Sequence, residues 1–378
     1  MSETRTVGAS TTAGRGGAHS LAEILSQPQF WGSCLEALER KGSLAEIRQP
    51  FRSAREWLFV GCGSSYYIAL SAAAAWSSIT GMRARAIPAS ELLLFPEIVL
   101  AGSEDLAAAV ISRSGRTSEA VRAAQVLERE KNIRVLAVTG TPDQPLEQIA
   151  TAALPLLPCD EQSTVMTRSF TSMLIGLQYL AACEADNSTL LNTFSKLPRL
   201  AQKAMDGLHL RIRDFAGSRQ FADYVCLGQG PLYGLACETA LKVNEMSVSY
   251  AQNFHTLEFR HGPKSIVGPE TLVMFLLSEQ GYDAECEVLQ EVKSLGGATL
   301  TVTNRADSRA RAASDCLIEF DFKLPELVRL APHVFAGQLT GLYTGLKKGL
   351  DPDNPRHLSR VVVLDEEAVT RQTEPAQS

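Results

Sequence analysis

Lys242, Glu245 and His261 lie in one short stretch, running Lys242-Val-Asn-Glu245 and then on to Phe259-Arg260-His261-Gly262-Pro263-Lys264. Lys242 and Glu245 are three apart, so a helix puts them on one face. Gly262-Pro263 cannot continue a helix, so His261 is expected on a loop. A carboxylate on a helix followed by an imidazole on a loop brings together the two side-chain types that move protons most readily near neutral pH. Taken alone, the stretch equally fits a solvated helix face and a polar loop. The rest of the chain must supply somewhere to hold a substrate.

Two places answer that need. Trp57 to Gly61 is a short apolar run ending in glycine, as expected of a strand buried in a parallel sheet. Gly61-Cys62-Gly63-Ser64-Ser65 follows, then an alanine-rich helix from Tyr66 to Trp76. Leu106 to Ile111 reads as another strand, ending in Ser112-Arg113-Ser114-Gly115-Arg116-Thr117 before a helix from Ser118 to about Lys131. Strand, glycine-bearing turn and helix present N–H groups at a helix N-terminus to an anion. One serine cluster is what any turn or N-cap uses. Two clusters on two strand ends of one sheet favour a phosphate, with Ser64, Ser65, Ser112, Ser114 and Thr117 as donors. The spacing lacks the Gly-Lys-Ser/Thr of a phosphate-binding loop for nucleotides, and Gly61-x-Gly63 lacks the third glycine of a dinucleotide fingerprint. No nucleotide cofactor is expected.

Further strands are expected at Ala84–Ala89, Val135–Thr139 and Ala153–Leu157. After Thr164-Val-Met-Thr167-Arg168 a long apolar helix runs to about Ala182, and Asn187–Ala216 is helical and polar enough to join two domains. Strands alternating with helices predict an α/β fold with doubly wound parallel sheets. The pattern then restarts. Tyr224 to Ala236 repeats Phe59 to Ala69, Leu272 to Gly281 repeats Ala107 to Gly115, and Leu300 to Thr303 repeats Leu136 to Thr139. Three landmarks in order at one offset indicate an internal duplication. The two copies differ at their strand ends. The second has Pro231, Leu232, Ser278, Gln280 and Asp283 where the first has hydroxyls, so only the first keeps an anion seat. The first half holds and the second, with Lys242, Glu245 and His261, reacts. The expected division is a disordered tail over 1–20, a first domain over 21–200, a second over 201–365 and a tail over 366–378.

The chain has 378 residues and a net charge of −6. That mild negative charge disfavours sequence-independent nucleic-acid binding, which needs a concentrated basic surface. No apolar run is long enough to span a bilayer, and the N-terminus has no secretory core. The eight cysteines are scattered without metal-ligand spacing, which fits reduced thiols in a cytoplasmic protein and predicts no metal. Cys62 sits in a glycine turn, yet no histidine is near it in sequence to activate it.

On these residues the chain resembles the sugar isomerase (SIS) proteins that carry two such domains in tandem. The likeness runs from about Leu21 to Leu364. It is nearest the tagatose-6-phosphate ketose/aldose isomerase-like branch, which includes galactosamine-6-phosphate deaminases. That branch carries S-R-S-G, here Ser112 to Gly115, with E-x-A-L-K-V-x-E, here Glu238 to Glu245, and F-R-H-G-P-K-S, here Phe259 to Ser265. The isomerase half of glucosamine–fructose-6-phosphate aminotransferase is similar too, but the sequence shows no glutamine-hydrolysing segment.

The resemblance implies two flavodoxin-like α/β/α sandwiches and a sugar 6-phosphate held by Ser64, Ser65, Ser112, Ser114 and Thr117. Thr164 and Thr167 would line the sugar, and Arg113 is a further candidate there. Glu245 would carry a proton between C1 and C2, with Lys242 beside it. His261 would open the ring and reach the site from the neighbouring subunit of a homodimer, oriented by Glu258. The aminotransferase ends its C-terminal segment with a Schiff-base lysine, and Arg360 stands at that place here. A guanidinium stays protonated and cannot form an imine, though it can bind an anion. Amide-nitrogen transfer is therefore disfavoured. The expected activity is aldose–ketose isomerisation of a hexose 6-phosphate, foremost an amino sugar releasing ammonia. A sugar-phosphate sensor, or a deglycase acting on a sugar-amine phosphate, is the alternative.

Overall fold

Two runs of short apolar strands build two separate parallel sheets. The computed structural model describes residues 16–40 and 43–364. The first sheet contains β1 (Glu56–Gly61), β2 (Arg83–Pro88), β3 (Leu106–Ser112), β4 (Val135–Thr139) and β5 (Ala152–Pro155). The second contains β6 (Asp223–Gly228), β7 (Tyr250–His255), β8 (Thr271–Leu276), β9 (Ala298–Thr303) and β10 (Cys316–Glu319). The first runs in the order β2-β1-β3-β4-β5 and the second, read from its far edge, β7-β6-β8-β9-β10. Strand for strand these are the same order, so the repeat in the sequence is a repeat in topology.

Alternation along each strand sorts the core into layers. Trp57, Phe59, Ala107, Ala109 and Ile111 face the middle of the molecule, while Leu58, Val60, Ala108 and Val110 face the outer helices. The second sheet sends Tyr224, Cys226, Leu272, Met274 and Leu276 inward to the same central cluster, and Val225, Leu227, Val273 and Phe275 outward. Strands buried on both faces read as continuous apolar runs for this reason. Between the sheets lie the helices Ser64–Thr80, Arg168–Glu184, Tyr233–Ser247 and Phe335–Lys347. Trp31, from the helix Ala18–Arg40, stacks on Phe335 at 5.5 Å and donates its indole N–H to Thr171 Oγ1 at 2.8 Å. The two halves therefore share one apolar core, which makes their relative placement part of the fold.

Several boundaries differ from expectation. The first helix starts at Ala18, inside the expected tail. Asp353 accepts the N–H groups of His19 at 3.1 Å and Ser20 at 2.7 Å, so a cap from the far end of the chain fixes that start. Residues 1–15 and 365–378 lie outside the described residues, and with them nearly all of the two expected tails. The expected division at residue 200 falls inside the helix Leu197–Ser218. β7 occupies Tyr250–His255, where a helix passing straight into a loop was expected, and β10 was not anticipated at all. Both are edge strands with mixed burial, so neither carries the apolar run of the inner strands. The fifth strand ends at Pro155, and Leu157 already begins a short 3₁₀ turn.

Candidate active site

β1 ends at Gly61, and Gly63 turns the chain at φ +54°, a backbone region that costs other residues dearly. Gly63 O then accepts the N–H groups of Tyr66 at 2.9 Å and Tyr67 at 3.1 Å, opening the helix Ser64–Thr80. Ser64 and Ser65 sit in its first turn and are buried. β3 lies beside β1 and ends at Ser112, which donates to Thr117 Oγ1 at 3.4 Å just ahead of the helix Ser118–Gln125. Ser114 Oγ accepts the Arg116 N–H at 3.2 Å. Strand order reverses between β1 and β3, since β2 lies on the other side of β1. The two hydroxyl-bearing loops thus flank the crevice at the carboxyl ends of the strands where such sheets take their ligands.

The helix Tyr233–Ser247 carries the candidate acid–base side chains. Lys242 Nζ contacts Glu245 Oε2 closely, three residues on, and Glu238 Oε1 at 3.3 Å, four residues back. Lys242 and Glu238 are wholly buried, and Glu245 is only partly so. Ser64 Oγ, from the other half, donates to the same Glu238 oxygen at 3.1 Å. Glu238 Oε2 has no partner. Burial pushes the Glu238 carboxyl up to about 8, against the pull of the Lys242 ammonium. Burial works to lower Lys242, but the two carboxylates outweigh it and hold the ammonium above its ordinary value. The arrangement is a line of Ser64, Glu238, Lys242 and Glu245 crossing from one half to the other. Sequence reasoning assigned three of these. Glu238 was missed, although its place one turn before Lys242 and seven residues before Glu245 is the signal that would have found it.

Other expected site residues behave differently. Arg113 is 6% exposed and its guanidinium is engaged within the protein. It pairs with Glu161 at 3.2 Å and donates to Thr164 O at 2.9 Å and Arg360 O at 3.1 Å. Within the chain Arg113 ties the Asp160–Thr167 loop to the C-terminal segment. Thr167 is fully buried. Its N–H and hydroxyl donate to Glu161 Oε1 at 2.7 and 2.8 Å, just ahead of the helix Arg168–Glu184. Thr164 remains half-buried and gives its N–H to Asp353 O at 3.1 Å. Arg360 is exposed and paired with Asp160. Arg168 lies over the Phe30 ring at 4.0 Å and donates to Asp160 O at 2.9 Å.

His261 and Glu258 are both exposed, at the end and start of a 3₁₀ turn, and meet through the His261 N–H and Glu258 O at 2.9 Å. The turn is pinned by Arg260, which pairs with Glu291 at 2.7 Å. Among the described residues no hydrogen bond or ion pair joins His261 to Lys242 or Glu245 of the same chain. Cys62 is an unpromising nucleophile, because burial and the nearby Glu119 push its thiol up to about 12. All eight cysteines are free thiols. Among the described residues no helix is long and apolar enough to cross a membrane, and no cluster of metal-ligating side chains occurs.

Comparison with known proteins agrees with the topology. The SIS domain model matches residues 51–182 and 224–323, more than half of the chain and one match in each half. The glutamine–fructose-6-phosphate aminotransferase (isomerizing) of Pyrobaculum aerophilum is 28% identical over 355 residues, covering 91% of this chain and 57% of that protein. The chain thus spans under two thirds of the length of such relatives. Among solved structures, the glucosamine-6-phosphate deaminase of Thermotoga maritima is 30% identical with a TM-score of 0.75, covering 92% of this chain and all of that one. The tagatose-6-phosphate ketose/aldose isomerase of Escherichia coli shares the fold at TM-score 0.82 and 24% identity, covering 96% of this chain and 98% of its own.

Proposed function

Because the chain belongs to the SIS domain family, we propose that it is a phosphosugar aldose–ketose isomerase whose substrate is an aminosugar 6-phosphate, converted to ketohexose 6-phosphate and ammonia. The first half holds the phosphate at the turns carrying Ser64, Ser65, Ser112, Ser114 and Thr117. Thr164 lies toward the sugar. His261 of a second copy opens the ring, Glu258 setting its position, and the active unit is a homodimer. Glu245 removes the C2 proton from the open-chain amino aldose, leaving an enolamine. It returns that proton to C1, which gives the ketose-level imine. Water adds to C2 and ammonia leaves. Lys242, buried beside Glu245, holds the oxygen at C1 while charge develops there.

The observation that carries this reading is the contact line from Ser64 through Glu238 and Lys242 to Glu245. It brings Ser64 and the Lys242–Glu245 pair to one seam between the halves, which supports a binding group and a proton-transferring pair acting on one substrate. The likeness to the Thermotoga deaminase supports the amino-sugar form of the reading. Arg360, with no amine to form an imine, suits release of nitrogen as ammonia and not its transfer.

The test is release of ammonia and ketose 6-phosphate from glucosamine and galactosamine 6-phosphates by the purified protein. Ammonia is expected from at least one of them, and Glu245→Gln is expected to lose about 100-fold or more of turnover while still binding. Conversion of a plain aldose 6-phosphate without amine release would reduce the activity to simple isomerisation. If no phosphosugar is turned over while sugar phosphates still raise the melting temperature, the catalytic reading fails and a sensor replaces it.

A further inference from the structure

We propose that Glu23, on the helix Ala18–Arg40, is a positioning residue of the candidate active site, holding the loop Asp160–Thr167 so that the Thr164 hydroxyl faces the sugar. The inference rests on the isomerase reading above.

The loop has no helix or strand from Asp160 to Thr167, so its shape depends on where its N–H groups go. Glu23 is 3% exposed and takes two of them on one oxygen, from Gln162 at 2.5 Å and Ser163 at 3.3 Å. Its other oxygen closely accepts the Ser163 hydroxyl. Thr164 comes next and gives its N–H to Asp353 O at 3.1 Å. Asp353 also accepts the N–H of Ser20, which lies three residues before Glu23 on the same helix face. One face of the first helix, directly and through Asp353, thus receives three successive N–H groups of the loop. From the other side Arg113 donates to Thr164 O at 2.9 Å. Among the described residues no ion pair reaches Glu23, so donors of the loop are what its charge meets. Burial raises the Glu23 carboxyl above its ordinary value, against the pull of the Ser163 hydroxyl. Hydrogen bonds to an ionised group are stronger than those between neutral ones, so this carboxylate grips the loop firmly.

The hydroxyls show what the grip leaves free. Ser163 is engaged with Glu23, and Thr167 and Ser169 with Glu161. Thr164 is half-buried and has both backbone groups engaged, yet among the described residues its hydroxyl makes no hydrogen bond. A hydroxyl that both donates and accepts, on a backbone fixed from two sides, is suited to a sugar hydroxyl or amine. Glu23 is enclosed behind that point and acts through the loop, not on the substrate.

Glu23→Leu removes the acceptors, Glu23→Asp draws them back by one methylene, and Glu23→Gln keeps an acceptor for both N–H groups. Each is measured for melting temperature, for kcat and KM on the phosphosugar that the native protein turns over, and for inhibition by inorganic phosphate. Glu23→Leu is expected to raise KM about tenfold, Glu23→Asp about fourfold and Glu23→Gln less than about twofold, with kcat within about threefold throughout. Inorganic phosphate should inhibit every variant within about twofold of the native protein, since its proposed donors stand on other turns. In a Thr164→Val background the Glu23 substitutions should raise KM no further, because the hydroxyl they displace is gone. A general loosening of the fold would instead weaken phosphate inhibition along with KM and act fully in that background. Native KM in whichever of Glu23→Leu and Glu23→Asp folds, phosphate inhibition lost in step with KM, or an undiminished effect in the Thr164→Val background overturns the proposal. A native protein that turns over no phosphosugar removes the isomerase reading itself, and this inference with it.

Discussion

The loop that closes the first half should depend on a single buried carboxylate, and Glu161→Ala tests that dependence. Glu161 is fully buried in its side chain. It accepts Arg113 Nη1 at 3.2 Å, the Thr167 N–H at 2.7 Å, the Thr167 hydroxyl at 2.8 Å and the Ser169 N–H at 3.2 Å, with the Ser169 hydroxyl closer still. Removing it strands a guanidinium that is 6% exposed. Breaking one side of a buried pair costs about 3–5 kcal/mol, chiefly because the surviving charge has no counterion. Part of that returns if the charge goes too, so Arg113→Met combined with Glu161→Ala should be more stable than Glu161→Ala alone. Urea unfolding of the three variants and the native protein, at constant m, measures this. The same change should raise KM for the phosphosugar, since Arg113 also fixes the Thr164 and Arg360 carbonyls. A Glu161→Ala cost below about 1 kcal/mol, or a double variant less stable than Glu161→Ala, would refute the account of Arg113 as an internal tie.

Three further outcomes follow from the geometry. Glu238 has its folded value pushed up to about 8 from an ordinary 4.5, so between those values the folded chain binds more protons than the unfolded one. Its contribution is complete below about 4.5 and lost as pH rises through about 8, and the fall of melting temperature over that window should be shallower in Glu238→Gln. Gly234→Ala should cost about 1–3 kcal/mol and lower turnover, because its Cβ would lie 2.5 Å from Tyr67 O and 2.8 Å from Ser71 N and force the central helices apart; unchanged stability would argue against their close contact. Cys62 should label with a thiol reagent far more slowly than a free cysteine at pH 8, and rapid labelling that blocks turnover would reopen it as a nucleophile.

The inner strands were legible because their burial is symmetrical. Trp57–Gly61, Leu106–Ile111 and Tyr224–Gly228 are covered on both faces, so an unbroken apolar run survives in the sequence. β7 and β10 are half-covered edges. Tyr250 is exposed beside buried Ala251, and the segment lies between a helix and a glycine–proline turn, so neither period dominates. The hydroxyl turns were legible from composition, since few residue types suit the N-terminus of a helix facing an anion. The internal partners of Arg113 and Thr167 show the limit of that approach. Their shared partner Glu161 is decided by how the chain returns after β5, which local sequence does not record. The helix start at Ala18 is similar, being fixed by Asp353 at the other end of the chain.

On the proposed function, duplication explains why the candidate site lies at a seam. Two copies with one topology leave two equivalent crevices, and the shared core holds both sheets in a fixed relation. The copies then diverged in opposite directions. The first kept hydroxyls at the ends of β1 and β3, where a phosphate can be held, and has no acid–base pair on its central helix. In the second copy Ser278 Oγ and N–H both donate to buried Glu285, each at 2.7 Å, so an internal carboxylate takes the donors that a ligand anion would need. That copy instead carries Glu238, Lys242 and Glu245 on the helix packed against the first copy's Ser64–Thr80 helix. Close packing of these two helices at Gly234 lets Ser64 reach Glu238. On the proposed function, binding and proton transfer are joined where the two helices touch.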